Sequence, residues 1–316
     1  MMTVVDSLEA MRQVTRPVVL AIGMFDGLHL GHQAVIRQAV ERAQALQGEA
    51  WVLTLDPHPL KILKPMQAPP LLTSTRHKLR LIEPLGIQGC LVLPFTRERA
   101  DEEPENFVSD LLECIPALNG IVVGENWTFG RQARGRPALL EELTSSRGIS
   151  VIVVAPVACR QMPISSTRIR NAVFQGRLDE AAAMLGRPFS ILGDVVPGRQ
   201  FGRTMGFPTA NVDPHNEVQP PPGVYAAYLL HRGRKILGAA FRPDPATGAP
   251  PPPHIVEIHL FDFNEDLYQQ EVEVFFIRQL RQPRHFANEE QLRRQIALDI
   301  AGIHRFFIEN PSFKPS

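Results

Sequence analysis

Short apolar segments alternate with longer amphipathic segments through the first half of the chain. Val18–Ile22 is wholly apolar and predicts a buried strand, and residues 33–46 carry apolar side chains at helical spacing. Further strands are predicted at 51–55, 91–93, 121–123 and 151–154, and further helices at 75–85, 105–112 and 138–147. Strands that alternate with helices indicate an α/β fold, in which helices cover both faces of a parallel sheet. Ligands of such sheets bind beyond the carboxyl ends of the strands.

The pattern changes near residue 186, after which strand-like segments follow one another without helices between them. These segments are Phe189–Val196, 223–230, 235–241, 255–261 and 271–276. Their regular succession predicts a compact antiparallel β-barrel. Residues 288–307 place apolar side chains on one stripe and predict a closing helix. We therefore predict two domains, 1–185 and 186–316.

The composition is that of a globular protein without a preferred sign of charge. Hydrophobic residues make up 44% of the 316 residues, and 33 Lys and Arg residues balance 33 Asp and Glu residues. A neutral chain has no overall attraction to nucleic acid or to an anionic membrane, so neither is expected as a partner. The sequence shows no signal-peptide pattern and no apolar run long enough to span a bilayer, which predicts a cytoplasmic location. Three scattered cysteines indicate neither a disulfide framework nor a zinc site.

Glycines and histidines follow the first predicted strand directly, in the segment GMFDGLHLGH at 23–32. Gly23 and Gly31 permit close approach of a ligand to the backbone, and the helix that begins here offers unpaired N–H groups to a polyphosphate. His29 and His32 can both donate to phosphate oxygens. The alternative is that these two histidines are only polar caps of the helix.

A second glycine-rich segment, GRQFGRTMGFPTAN, occupies residues 198–211. Glycine-rich backbone with arginines suits the phosphates of a nucleotide such as ATP. The candidate nucleotide-binding residues here are Gly198, Arg199, Gly202, Arg203 and Gly206. Thr209 and Asn211 offer neutral oxygens that suit a Mg²⁺ ion shared with phosphates. The alternative is an ordinary connection between two strands.

A carboxylate lies in the alternating segment Val256–Leu260. Glu257 and His259 share one face of this predicted strand, because side chains alternate between faces. Glu257 can take the proton from a primary alcohol and so act as a general base. The alternative is a solvated residue on the strand surface.

Several segments resemble one enzyme family in the same order. Residues 23–33 resemble the signature of the nucleotidylyltransferase superfamily, in the form found in bacterial bifunctional riboflavin kinase/FAD synthetases. LDPHP at 55–59, GENWTFG at 124–130 and ISSTRIR at 164–170 resemble further segments of that family, and GFPTAN at 206–211 resembles the hallmark of riboflavin kinases. The resemblance implies a Rossmann-like nucleotidylyltransferase domain followed by a β-barrel riboflavin kinase domain.

The resemblance also implies roles for individual residues. With Mg²⁺ present, the second domain would use ATP to phosphorylate riboflavin to FMN. The first domain would then transfer an adenylyl group from ATP to FMN, which gives FAD. The implied catalytic residues are His29, His32, Arg168 and Glu257. Further ATP contacts are implied for Gly23, Phe25, Gly31, Ser166 and Thr167, flavin contacts for His58, Asn126 and Arg242, and Mg²⁺ contacts for Thr209 and Asn211.

Three of these segments have structural alternatives. LDPHP is also typical of a rigid turn that ends a strand. Ser166 and Thr167 suit the start of a helix, which is itself an anion site. Trp127 and Phe129 could stack on a flavin or pack against their own domain.

The second half departs from the family pattern at two places. The family usually carries a segment resembling Asn-Ile-Gly-x-Arg-Pro-Thr where FRPDP stands at 241–245, and the proline-rich run to residue 253 follows. The family's glycine after Asp-Leu-Tyr is Gln269, which lacks the freedom of glycine to adopt a positive φ. Adenylyl or cytidylyl transfer to another phosphate is one alternative, which the resemblance of the second half to riboflavin kinases disfavours. Two others are an FAD synthetase whose barrel is only a scaffold or flavin sensor, and a flavin-binding protein without catalysis. The last is disfavoured because a flavin store needs no ATP site.

Overall fold

A computed structural model describes residues 2–198, 202, 205–244 and 254–313. The chain forms two compact units, one of Met1–Pro70 with Lys78–Ser166 and one of Leu71–His77 with Thr167–Ser316. The predicted division after residue 185 stays a prediction. Among the described residues, no helix combines the length and the hydropathy needed to cross a membrane.

The first unit is built on a six-stranded sheet whose strand pairs are all parallel. Its strands are β1 (Thr3–Val5), β2 (Val18–Ile22), β3 (Glu49–Asp56), β4 (Gly89–Pro94), β5 (Leu118–Gly124) and β6 (Ser150–Val154), in the order β1-β4-β3-β2-β5-β6. The helices before residue 166 are α1 (Leu30–Ala45), α2 (Pro59–Leu63), α3 (Thr75–Ile82), α4 (Arg97–Ala100), α5 (Pro104–Cys114) and α6 (Pro137–Ser145). The predicted α/β fold is confirmed.

Two apolar cores lie on the two faces of this sheet, because alternate side chains of each strand point to opposite faces. Leu20 packs into one core and Ala21 into the other, and every residue of β2 is buried. Cys114 belongs to the first core and Cys90 to the second, and both thiols are buried.

The strand order reverses between β2 and β5, which are hydrogen-bonded neighbours although β3 and β4 lie between them in sequence. In open α/β sheets, ligands bind outside the carboxyl ends of the strands at such a reversal. The segments that follow β2, β3 and β5 are 23–29, 57–58 and 125–136, and they contain most of the predicted site residues of this unit.

The second unit contains a closed six-stranded barrel whose neighbouring strands are antiparallel. Its strands are β9 (Phe189–Val196), β10 (Ala210–Pro214), β11 (Gly223–His231), β12 (Arg234–Arg242), β13 (Val256–Leu260) and β14 (Glu271–Arg281), after the short pair β7 (Ala158–Cys159) and β8 (Met162–Pro163). The helices from residue 166 onward are α7 (Ser166–Phe174), α8 (Leu178–Leu185) and α9 (Glu289–Glu309).

The predicted barrel and closing helix are confirmed, with one strand more than the sequence predicted. Strand β10 was not predicted, because its five residues ANVDP contain three that are uncommon in strands. Helix α9 begins after Asn288, whose side chain accepts a hydrogen bond from the N–H of Gln291. Its apolar stripe includes Ile303 and Phe307, which pack against barrel residues.

Candidate active sites

The loop that follows β2, residues 23–29, is the candidate phosphate loop, and it adopts a backbone that L-amino acids rarely take. Phe25 has φ +50° and Leu28 has φ +41°, and Gly27 has φ +78° between them. Each non-glycine residue in this region costs about 1–2 kcal/mol, and such strain is concentrated at functional sites. The loop is tied to β3 at its start, where the N–H of Gly23 donates to the carbonyl of Leu53 at 3.1 Å.

The two predicted catalytic histidines of this unit lie face to face at the start of α1. His29 is the N-cap residue, and its Nδ1 accepts a hydrogen bond from the N–H of His32 at 3.2 Å. The ring centroids are 3.5 Å apart with an angle of 18° between the planes. A Cβ at Gly31 would come within 3.1 Å of the His29 ring, so this position favours glycine. The capping alternative therefore describes the geometry, and a cap at a helix N-terminus leaves that end suited to an anion.

His32 lies in surroundings that disfavour a charged ring. Burial is the largest cause that holds the pKa of His32 well below its usual value, and the charges of His29 and Lys78 act in the same direction. Its Nδ1 is buried and has no hydrogen-bond partner among the described residues. The ring lies edge-on to Phe25, with centroids 5.4 Å apart. His32 is thus a neutral hydrogen-bonding group, and the local positive charge has to come from other side chains.

Phe25 and Ser166 have clear local contacts in the same unit. The Phe25 ring is buried in the second core, where it contacts Gly23 and His32, so the structure gives it a packing role. The Ser166 hydroxyl donates to the carbonyl of Asp26 at 2.9 Å, which joins the start of α7 to the phosphate loop. Their predicted contacts with ATP stay predictions.

Thr167 and Arg168 belong to the second unit. Arg168 Nη2 lies 3.8 Å from Glu180 Oε1, and Glu180 also pairs with Arg177 at 2.6 Å. Arg168 is therefore part of a charged cluster between α7 and α8. Its predicted contact with ATP phosphates, like that of Thr167, stays a prediction.

The two flavin-side candidates of the first unit follow β3 and β5. His58 is the N-cap of α2, where its Nδ1 accepts from the N–H of Leu60 at 3.1 Å, so the turn interpretation of LDPHP describes the local structure. Asn126 is exposed two residues after β5. Trp127 and Phe129 stack on each other with centroids 4.7 Å apart and pack against the first core, as the packing alternative predicted.

A cavity of about 480 Å³ opens in the barrel unit and contains both predicted Mg²⁺ ligands. It is lined by Val195, Pro208, Thr209, Ala210, Asn211, Ile258, Leu260, Phe263, Asn264, Glu265, Asp266, Leu267 and Tyr268. Asn211 lies directly opposite Glu257 in the register of β10 and β13. Glu257 is half-buried, and burial raises its pKa above the usual value for a glutamate. A carboxyl of raised pKa opposite the Asn211 amide is suited to accept a proton closer to neutral pH than an ordinary glutamate.

The glycine-rich segment before β10 comes close to these residues. A Cβ at Gly198 would overlap the Asn211 amide, and one at Gly202 would overlap the carbonyl of Phe207. Gly206 has φ +88°, in the left-handed region that favours glycine. Arg199 and Arg203 lie outside the described residues, so their predicted contacts with ATP stay predictions.

Of the two departures from the family pattern, residues 241–244 and Gln269 lie in the described backbone. Arg242 ends β12, and its Nε donates to Gln219 at 2.9 Å. Burial lowers the pKa of Arg242, against the attraction of Tyr225 and Asp244. Gln269 has φ +60°, so the position keeps the left-handed backbone for which glycine is best suited. Residues 245–253 lie outside the described part of the chain.

Two residues with a place at these sites were missed by the sequence reasoning. Lys78 is 4% exposed and its ammonium donates to Thr54 Oγ1 at 3.0 Å, beside the phosphate loop. Its position four residues before the buried Ile82 puts it on the inner face of α3, a signal that helical spacing could have given. Asp266 lines the barrel cavity, and no spacing rule brings it to Thr209.

Comparison with known proteins covers both units. Residues 11–168 match the family model described as FAD synthetase, and residues 185–307 match the one described as riboflavin kinase. A protein of Escherichia coli (strain K12) named bifunctional riboflavin kinase/FMN adenylyltransferase is 34% identical over 289 residues, which cover 92% of each chain. A protein of Listeria monocytogenes with the same name is 33% identical over 298 residues, again 92% of each chain.

A solved structure gives the same result for the fold. It is described as a macrolide-efflux protein from Streptococcus pneumoniae, is 27% identical, and matches with a TM-score of 0.77 over 95% of this chain and 97% of that chain. The sequence motifs, the parallel sheet with its histidine loop and the barrel with its acidic cavity agree with these matches. The chain belongs to the family of bifunctional riboflavin kinase/FMN adenylyltransferases.

Proposed function

We propose that this protein makes FAD in two ATP-dependent steps, phosphorylation of riboflavin to FMN in the barrel unit and adenylylation of FMN in the α/β unit. The observation that carries the proposal is that each unit holds its own candidate phosphate-transfer site. One site is the stacked histidine pair at the start of α1, and the other is the cavity with Thr209, Asn211 and the adjacent Glu257.

Adenylyl transfer needs positioning and charge neutralisation more than it needs a strong nucleophile. An FMN phosphate oxygen, already ionised near neutral pH, bonds to the α-phosphorus of ATP while the bond to the bridging oxygen of pyrophosphate breaks. The N–H groups at the start of α1 and the rings of His29 and His32 stabilise the charge that develops on the phosphate oxygens. Ser166, Thr167 and Arg168 bind the triphosphate through a second helix start and a guanidinium.

Riboflavin phosphorylation requires a proton acceptor, because the nucleophile is a primary alcohol. Glu257 takes that proton as the alcohol oxygen bonds to the γ-phosphorus and ADP leaves. Its raised pKa brings it closer to neutral pH, where a general base is most effective. Gly198, Gly202 and Gly206 let the backbone approach the phosphates, and Arg199 and Arg203 supply charge.

The Thr209 hydroxyl and the Asn211 amide oxygen fit a Mg²⁺ ion that arrives with ATP. Both are hard oxygen donors and both line the same cavity, and Mg²⁺ is usually held by few protein ligands together with substrate phosphates. When bound, the ion neutralises charge on the transferring phosphates. Thr209 and Asn211 would hold the ion beside the phosphates, and Glu257 takes the proton of the alcohol.

We assign the flavin to His58 and Asn126 in the first unit and to Arg242 in the second. His58 follows β3 and Asn126 follows β5, the two strands that flank β2 in the sheet, which supports a shared ligand at the carboxyl ends of these strands. Arg242 is held in place by Gln219 at the end of β12, which supports a directed contact. The expected cytoplasmic location and the expected absence of nucleic-acid and membrane partners stay predictions.

One incubation tests the proposal. Purified protein is incubated with riboflavin, ATP and Mg²⁺, and flavins are separated by chromatography, with FMN supplied in place of riboflavin in a parallel reaction. We expect FMN and FAD from riboflavin and FAD from FMN. His29→Ala and Arg168→Ala are expected to abolish FAD formation while riboflavin is still phosphorylated. FAD from FMN without FMN from riboflavin would instead support an FAD synthetase with an inactive barrel, and no flavin turnover would refute both.

A further inference from the structure

A lysine ammonium is buried beside the phosphate loop. Lys78 lies on α3 with 4% of its surface exposed, and its Nζ donates to Thr54 Oγ1 at 3.0 Å. Burying an ammonium is costly unless it serves as a partner for other charged or polar groups. Lysine is among the residues least often found fully buried, so this position calls for a reason.

Thr54 passes this contact on to the loop. It is fully buried in β3, and its hydroxyl accepts from Lys78 and donates to the carbonyl of Met24 at 3.2 Å. Met24 precedes Phe25, the first of three residues in this loop that have a positive φ. Strained backbone persists only where its surroundings over-determine it. The pair of hydrogen bonds from Lys78 through Thr54 to Met24 is one of the constraints that hold the loop.

Burial is the largest influence on the pKa of Lys78, and nearby groups oppose it. Burial lowers the pKa of Lys78, while Asp26, Cys90 and Asp56 oppose that effect. The Lys78 charge is in turn one of the causes that lower the pKa of His32. Phosphates that bind at the histidine pair would add negative charge and favour the ammonium further. His32, whose pKa is lowered by burial, thus acts as a hydrogen-bonding group, and the buried Lys78 is a source of positive charge beside it.

We propose that Lys78 is a positioning residue of the adenylyl-transfer site, which holds the loop of His29 and His32 through Thr54 and supplies a positive charge beside it. The inference rests on the proposed adenylyl transfer and adds a residue to it. Lys78 acts through the loop and does not contact the substrate in this proposal. The roles proposed for His29, His32 and Arg168 are unchanged.

Two variants separate the hydrogen bond from the charge. Lys78→Met removes both and keeps a similar length of side chain, whereas Thr54→Val breaks the hydrogen bonds and keeps the ammonium. Lys64→Met, at an exposed lysine of the same unit, is the matched control. For each protein we measure kcat and KM for FAD formation from FMN and ATP, the side-chain titration of His32 by NMR, thermal unfolding, and riboflavin phosphorylation as a check on the other unit.

For Lys78→Met we expect kcat for FAD to fall on the order of 100-fold, since small misplacements at a site of phosphate transfer cost about this much. The KM for FMN is expected to change little, and the pKa of His32 to rise because one cause of its lowering is gone. Thr54→Val should lower kcat less and leave the titration of His32 where it is. Lys64→Met should match the wild type throughout.

If Lys78→Met makes FAD with the kcat of the wild type, the role proposed for Lys78 is refuted. The proposed function stands in that case, because the wild-type protein makes FAD. The inference is also overturned if kcat falls equally in both variants, in proportion to their loss of thermal stability, while His32 titrates as in the wild type. That result describes a lysine with a structural role only. If Lys78→Met does not fold, an unchanged kcat in Thr54→Val overturns the inference. A wild-type protein that makes no FAD from FMN overturns the proposed function and this inference with it.

Discussion

Replacing Glu257 with glutamine removes the proposed base of the kinase reaction and keeps its size. Glu257 is half-buried on β13, opposite Asn211, with a pKa raised by burial. General-base catalysis contributes about 10²–10⁴-fold to the rate. At about 1.4 kcal/mol for each factor of ten, the loss of this base raises the barrier by about 3–5 kcal/mol. We therefore expect Glu257→Gln to lower kcat for riboflavin phosphorylation by about 10²–10⁴-fold.

The pH dependence gives an independent measure of the same group. Glu257 is active when ionised, so kcat/KM for riboflavin should rise with pH through a pKa above that of an ordinary glutamate. The variant should lack this rise. The assay is the release of ADP and the formation of FMN from acid to alkaline pH, and FAD formation from supplied FMN serves as the internal control. A variant that phosphorylates riboflavin at the wild-type rate refutes the role of Glu257.

Stability should change in the opposite direction to activity. The pKa of Glu257 is higher in the folded than in the unfolded chain, so ionisation costs more in the fold. This penalty is absent below the unfolded pKa, grows as the pH rises through the folded pKa, and is full above it. Glu257→Gln removes the penalty, so the variant should be at least as stable as the wild type at neutral pH. Thermal unfolding at acid and neutral pH checks the sign, and a variant less stable only at neutral pH would contradict it.

Three further predictions concern the barrel unit. Gln269→Gly should raise the free energy of unfolding by about 0.5–1 kcal/mol, because the relief of strain at a left-handed residue exceeds the cost of a more flexible unfolded chain. Denaturant unfolding measures this change, and an unchanged free energy of unfolding would contradict the prediction. Glu273→Met should lower that free energy by about 3 kcal/mol, since it removes the buried carboxylate that lies 3.0 Å from His77 and accepts from Ser190 at 2.7 Å. A loss near zero would contradict this prediction. His259→Phe removes the 2.8 Å hydrogen bond to the carbonyl of Pro208, which belongs to the glycine-rich segment proposed to bind ATP. The KM for ATP in the kinase assay should therefore rise, and FAD formation from FMN should stay unchanged. An unaltered KM would show that the segment does not need this hydrogen bond.

Elements with a strong periodic pattern were predicted well, and short or polar elements were not. The strand Val18–Ile22 was predicted with its bounds, because a wholly apolar run has no other place than the core. Helix α1 begins three residues before the predicted start at residue 33, since its first turn holds glycine and histidine in place of the apolar pattern. Strand β1 was missed because it is a three-residue edge strand with little burial.

The candidate sites show the same division. The spacing of His29 and His32 around a glycine predicted their common location at a helix start, because both lie within one turn. No local pattern predicted that the rings would stack or that His32 would be neutral, since burial and the charge of Lys78 decide this. Asn211 and Glu257 were predicted separately, as a Mg²⁺ ligand and as a proton acceptor, and only the register of β10 and β13 places them opposite each other.

The sequence by itself determined the alternation of elements, the change to a barrel near residue 186 and the identity of the groups that can bind phosphate, because these depend on residue type and on spacing along the chain. The tertiary structure alone decided which distant residues meet and what charge they carry. Lys78 reaches Thr54 and Asp266 joins the cavity of Thr209 through folding over many residues. Desolvation and long-range contacts are properties of the packed molecule, and these set the pKa of His32, of Glu257 and of Lys78.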